Sequence, residues 1–242
     1  MYAIWKKEVS AFFSSVTGYL VSGVFLLVTA LFLWIIPGNL NIPFGGYATL
    51  DSLFWLAPWL YLFLVPAITM RLFSEEKKGG TMELLLSKPV TDWQIVNGKY
   101  LAGLTLVIVS LLPTLIYYLS VNNLALPIGN MDHGATWGSY VGLVFLAAVY
   151  VSIGVFASSL SANQVVAFVI AVVGCFFFYE GFEALASIPI FHSVADFIIF
   201  MGINEHYLSI SRGIIDSRDI VYFAGIIFFF LALTKIVIGL RK

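Results

Sequence analysis

Six stretches of this chain are apolar for long enough to cross a bilayer, and that feature restricts its fold more than any other. A membrane-crossing helix needs about 20 consecutive apolar residues. Residues 16–37, 52–73, 98–121, 138–160, 164–186 and 220–240 meet that length. Lipid offers no partner to a bare peptide group, so segments of this length must cross as helices. Composition agrees: 61% of residues are hydrophobic, 17% aromatic and 10% charged, with mean hydropathy +0.99. Too little charge remains to cover a soluble surface. The expected fold class is an all-α integral membrane protein with six transmembrane helices in a single transmembrane domain over residues 1–242.

Lysine and arginine placement sets the orientation. Six spans put both termini on one side, with Lys6, Lys7, Arg71, Lys77, Lys78, Lys88, Lys99, Lys235, Arg241 and Lys242. Only Arg212 and Arg218 fall on the other side. The positive-inside rule therefore places both termini and the segment Arg71–Lys99 in the cytoplasm. Lys6 and Lys7 ahead of an apolar run imitate a signal peptide, but Val16–Ile36 is too long for one and ends in Trp34-Ile35-Ile36-Pro37 without a small-residue cleavage site. It is expected to stay as an anchor.

Two further segments carry apolar surface without the length to cross. In residues 1–14, Trp5, Val9, Phe12 and Phe13 share a helical face with Val16, while Lys6, Lys7, Ser10 and Ser14 lie on the other. Such a helix fits the headgroup plane, aromatics down and lysines towards anionic lipid, with a break near Thr17-Gly18. The alternative is a straight extension of the first span. Residues 188–219 hold the cluster Phe197–Met201 between Asp196 and Asn204-Glu205-His206. This reads as an extracytoplasmic re-entrant or interfacial helical hairpin between spans five and six, because an ordinary loop would leave that apolar surface uncovered. Pro58, Pro66 and Pro113 predict kinks in spans two and three.

The chemistry of catalysis is missing from the pattern. Gly98-Lys99 has no phosphate-loop context, no HExxH or GxSxG motif occurs, and His133, His192 and His206 are far apart and read as surface or interface residues. Cys175 is a single cysteine in an apolar run, so no disulfide or cysteine metal cluster forms within the chain. A net charge of −1 with no large basic patch gives no sign of nucleic acid. The middles of the spans lack ionisable groups, Lys235 being placed to snorkel, which argues against a proton- or sodium-coupled carrier. Energy for uphill movement would have to arrive from another subunit.

The polar segment Arg71–Lys99 carries nine of the chain's charges. Span two is expected to run on as a charged helix from Arg71 to Lys78, stopped by Gly79-Gly80. Thr81 can cap a short transverse helix, with Glu83 in its first turn, Leu84-Leu85-Leu86 following and Pro89 ending it. Thr91 to Gln94 fits a capping box opening span three. The leucines can meet a soluble partner or the chain's own interfacial helix.

This segment resembles the cytoplasmic loop of ABC-2-type transporter permeases. The matching pattern is Arg71, Glu75, Glu76, Gly80, Thr81, Leu84, Leu85, Leu86, Ser87, Pro89, Gly98 and Lys99, and residues 158–168 and 212–223 also resemble the family. Within it, the gliding-motility-associated permeases (GldF-like) are most similar, followed by the NosY-like permeases of copper-enzyme maturation. Gly79-Gly80 departs from a pattern that often has one glycine, which would loosen the helix break.

The resemblance implies a non-catalytic half-transporter with an N-terminal elbow helix (Trp5, Lys6, Lys7, Phe12, Phe13) and a cytoplasmic coupling helix between spans two and three. It would bind no cofactor or metal itself. ATP and magnesium would be held by a separate ABC ATPase subunit, and a second permease chain, identical or different, would complete the membrane part. An auxiliary gliding-motility subunit and membrane lipids are further implied partners. Glu75, Glu76, Glu83 and Lys88 would flank the ATPase contact, with Leu84–Leu86 in its groove. The competing reading is a membrane anchor of a motility or secretion complex that transports nothing.

Overall fold

The computed structural model describes residues 1–83, 89–213 and 216–240. Among these residues all regular structure is helical. Six helices are long and apolar enough to cross a membrane: Val16–Ile35, Asp51–Lys78, Asp92–Leu124, His133–Leu160, Gln164–Ala186 and Ser217–Gly239, the first to sixth spans. Each coincides with one of the six expected stretches. Spans two and three reach further into the polar segment than their apolar cores, because the charged turns continue the helix.

The fourth span is the hub. Its most apolar window is 78% buried, against 22% for the first, fifth and sixth spans. It packs on the second, third, fifth and sixth. Small buried residues, Gly142, Ala147, Ser152, Gly154, Ala157 and Ser158, let these neighbours come close. In lipid, where helices gain nothing by hiding from water, that close approach supplies the association energy.

Polar side chains then repair the helix defects. Pro58 has no N–H, so the carbonyl of Phe54 one turn earlier loses its donor. Tyr207 fills the gap, donating its hydroxyl to Phe54 O at 2.7 Å. Burial holds the Tyr207 phenol far above its usual titration range, so it remains a neutral donor. The helix runs unbroken through Pro58 and Pro66 and is interrupted instead at Met70. There Ser158 of the fourth span donates to Met70 O at 2.9 Å and accepts from the amides of Phe73 (2.9 Å) and Ser74 (3.2 Å). At Pro113 the third span tightens into a 3₁₀ turn over Leu112–Thr114. Two π-helical turns, Leu31–Ile35 and Phe177–Gly181, had no sequence signal.

Between the fifth and sixth spans lie a 3₁₀ turn (Pro189–Val194) and two short helices, Ala195–Phe200 and Ile203–Ser211. No side chain of Pro189–Phe200 is buried, whereas Ile203, Tyr207 and Ile210 of the next helix are, and that helix packs on the fourth span.

Candidate functional site

At the end of the bundle where the polar segment emerges, three elements meet: the N-terminal helix Tyr2–Phe13, the charged extension Arg71–Lys78, and the first turns of the third span. The N-terminal helix lies against the third span. Ile4 sits over Gly98, where an added Cβ would lie 3.2 Å from the Ile4 side chain. Any larger residue at 98 would push the two helices apart. Trp5 donates its indole N–H to Thr105 at 3.0 Å, and Phe12 is 3% exposed.

Lys99 is the centre of this junction. It is 0% exposed, although lysine is almost never fully buried without partners. Its ammonium lies 2.8 Å from Glu8 Oε1 and 3.0 Å from Glu76 Oε2, donates to the carbonyl of Leu72, and faces the Phe73 ring at 5.0 Å. Lys7 closes the set from the solvent side, 2.9 Å from Glu76 Oε1 and 3.8 Å from Glu8. Partial burial works against the Lys7 charge, but the hydrogen bond to Glu76 and the carboxylates of Glu76, Glu8 and Glu75 outweigh it, and its pKa is raised. Two lysines and two glutamates thus clamp the N-terminal helix to both sides of the polar segment. The N-terminal break falls at Ser14-Ser15 rather than Thr17-Gly18, with Ser15 accepting from the Gly18 amide.

The charged extension ends as its glycines dictate. Gly80 has φ +66°, the left-handed conformation that favours glycine. Gly80 N–H donates to Lys77 O and Thr81 N–H to Glu76 O, the paired bonds of a Schellman stop. Gly79 keeps a right-handed helical conformation, so only the second glycine is conformationally required. The Thr81 hydroxyl donates back to Glu76 O at 3.4 Å. The predicted transverse leucines Leu84, Leu85 and Leu86, with Ser87 and Lys88, lie outside the described residues. Beyond them, Pro89 sits in a bend and the Thr91–Gln94 capping box is present in full.

Glu76 is 8% exposed and faces the junction, whereas Glu75 and Glu83 are exposed. Arg71 turns back to Ser15 (3.3 Å), Thr17 (3.5 Å) and the Phe12 ring (5.1 Å). Trp5 and Phe12 make protein contacts, Lys7 pairs with Glu76 while staying exposed, and Phe13 and Lys6 are exposed. Glu8 was missed altogether. Its signal is the row Ile4, Glu8, Phe12, spaced by one helical turn along the buried edge.

The ABC-2 family transporter domain matches residues 53–234, from the second span into the sixth. The chain belongs to the ABC-2 transporter family. No curated protein matches it. The junction of this ABC-2 transporter chain therefore lies at the boundary of the family domain: Glu76 and Lys99 fall inside it, whereas Lys7 and Glu8 precede it.

A second polar knot sits at the opposite end of the transporter chain, correcting the expected surface role of His206. That residue is 2% exposed. Its Nδ1 lies 2.7 Å from Asp219 Oδ1, its Nε2 2.9 Å from Phe200 O, and its ring stacks on Tyr222 at 3.8 Å. A carbonyl can only accept, so Nε2 donates to Phe200 O. The knot ties the outer helices to the start of the sixth span. Lys235 lies 5.2 Å from the Trp93 ring, a cation–π contact in place of simple snorkelling.

Proposed function

We propose that this chain is the membrane-spanning permease subunit of an ABC exporter, taking force from a separate ATPase through the segment Arg71–Lys99. The observation that carries the reading is the buried Lys99 junction. A push on the polar segment is delivered to the second span, the third span and the N-terminal helix together, because breaking the ion set would strand charges away from water. Glu75, Glu83 and Leu84–Leu86 are the proposed contacts with the ATPase, which would hold ATP and magnesium. Closure of two ATPases would switch paired permease chains between two arrangements. Both termini would be cytoplasmic in an inner membrane, with the N-terminal helix at the inner leaflet. Uncovered Ile190 and Phe197 favour an interfacial place for the outer hairpin. The likeness of the polar segment to GldF-like permeases favours service in a gliding-motility complex, beside an auxiliary subunit of that system.

Co-purification tests the reading. Glu83→Ala, or alanines at Leu84–Leu86, should release the ATPase from membranes while thermal unfolding of the spans stays unchanged. Undiminished ATPase recovery would refute the coupling role. ATP turnover that is unaffected by the permease would favour the alternative of a non-transporting anchor.

A further inference from the structure

At the end of the bundle opposite Lys78, a cleft of about 450 Å³ opens between the second, fourth and fifth spans and the helix Ile203–Ser211. Its walls include Asp51, Trp55, Trp59, Tyr179, Glu180 and Asn204. A smaller cavity of about 220 Å³ shares Tyr179, Asn204 and Leu208 with it and adds Glu183 and Glu205. Among the described residues, no lysine, arginine or histidine lines either one.

Two features of this cleft are unexplained by packing. Glu180 lies inside the fifth span, on the π-helical turn Phe177–Gly181. It makes no hydrogen bond or ion pair with any described residue, and its charged neighbour is another acid, Glu183. Glu180 lies near the outer end of that span, partly exposed to the cleft, so its charge is open to a ligand there. Tyr179 is 5% exposed, and its hydroxyl has no hydrogen-bond partner among the described residues. The Trp59 and Tyr179 rings meet edge to face at 5.8 Å, and Trp55, 61% exposed, stands at the opening.

We propose that this cleft binds an organic ammonium ion. The cation would sit against the aromatic faces between Asp51 and Glu180, with Tyr179 and Asn204 available to its N–H groups or first water. Aromatic rings attract a diffuse cation through their negative faces, and carboxylates add long-range attraction. A metal ion fits less well, because no group of three metal-competent side chains occurs among the described residues. Asp51 lies in the first turn of the second span. An apolar tail on the ligand would extend over Leu208, which is 42% exposed. The ammonium can come from a free amine or from a phosphatidylethanolamine headgroup. The site does not depend on the ATPase, so its failure would leave the coupling role intact.

The test uses the purified full chain in phosphatidylglycerol nanodiscs, titrated with tetraethylammonium chloride against sodium chloride of equal ionic strength. Trp55 and Trp59 report occupancy by fluorescence. A saturable change specific to tetraethylammonium is expected, weakened about tenfold by Glu180→Gln or Asp51→Asn and unaltered by Lys78→Gln at the far end. Thermal scans confirm that each variant is folded, and Asp51→Asn decides the matter if Glu180→Gln is not. Adding phosphatidylethanolamine separates the sources: competition identifies the headgroup, and none identifies a free amine. A linear response, an equal response to sodium, or full-strength binding by the folded carboxylate variants would overturn the proposal.

Discussion

Replacing Lys99 by methionine removes the cation from the junction while nearly preserving its volume. Glu8 and Glu76 would be left with side chains only 13% and 10% exposed. Breaking a buried ion pair from one side costs about 3–5 kcal/mol. Lys7 still reaches Glu76 at 2.9 Å from a position 63% exposed, which places the expected loss at the lower end, about 3 kcal/mol. That loss would fall on docking of the N-terminal helix, because Glu8 is its buried charge. A change of about 3 kcal/mol shifts the docked equilibrium roughly a hundredfold. The assay is maleimide labelling of Phe12→Cys in a Cys175→Ala background with Ile4→Cys beside it, since Phe12 is 3% exposed and Ile4 is half-buried against Gly98 while the helix is docked. Labelling that tracks the open population should accelerate by about two orders of magnitude in Lys99→Met. Neutralising the whole set, with Glu8→Gln and Glu76→Gln added, should recover much of the protection, because the stranded charges are gone. Labelling of Lys99→Met within twofold of the parent would refute the buried-junction reasoning.

Three further outcomes are expected. Gly80→Ala should destabilise by about 1–2 kcal/mol through its left-handed backbone, while Gly79→Ala should cost less despite a tight contact with Glu75 O; thermal unfolding of the two variants in one detergent compares them. Tyr207→Phe should cost about 1–3 kcal/mol by orphaning the Phe54 carbonyl, and Pro58→Ala, which restores a backbone donor for it, should shrink that cost in a double-mutant cycle. Lys7, with its pKa raised above the ordinary 10.5, contributes docking strength that is complete below that value and fades as pH rises through the folded-state value. Ile4→Cys labelling should therefore gain no acceleration from Lys7 between pH 7 and 9 and should accelerate above about pH 10.5, a rise that Lys7→Gln removes.

How much was legible follows from the range of each interaction. Apolar length alone located all six spans, since a bilayer-sized run is a local property of the chain. The Thr91–Gln94 box and the Pro113 turn were equally readable, because each is settled within one helical turn. The family was visible in the polar segment for the same reason. The buried fate of Lys99, Glu76 and His206 was not. A lysine written after Gly98 looks the same whether it faces water or two glutamates, and its partner Glu8 lies 91 residues away. The acceptor that Pro58 exposes was predictable, but its donor, Tyr207, lies 153 residues from Phe54. Sequence by itself determined where the chain becomes helix and where it must leave lipid, because hydropathy and capping act over a few residues. Only the tertiary structure decided which charges are neutralised inside, because the cost of burying a charge depends on what the folded chain brings beside it.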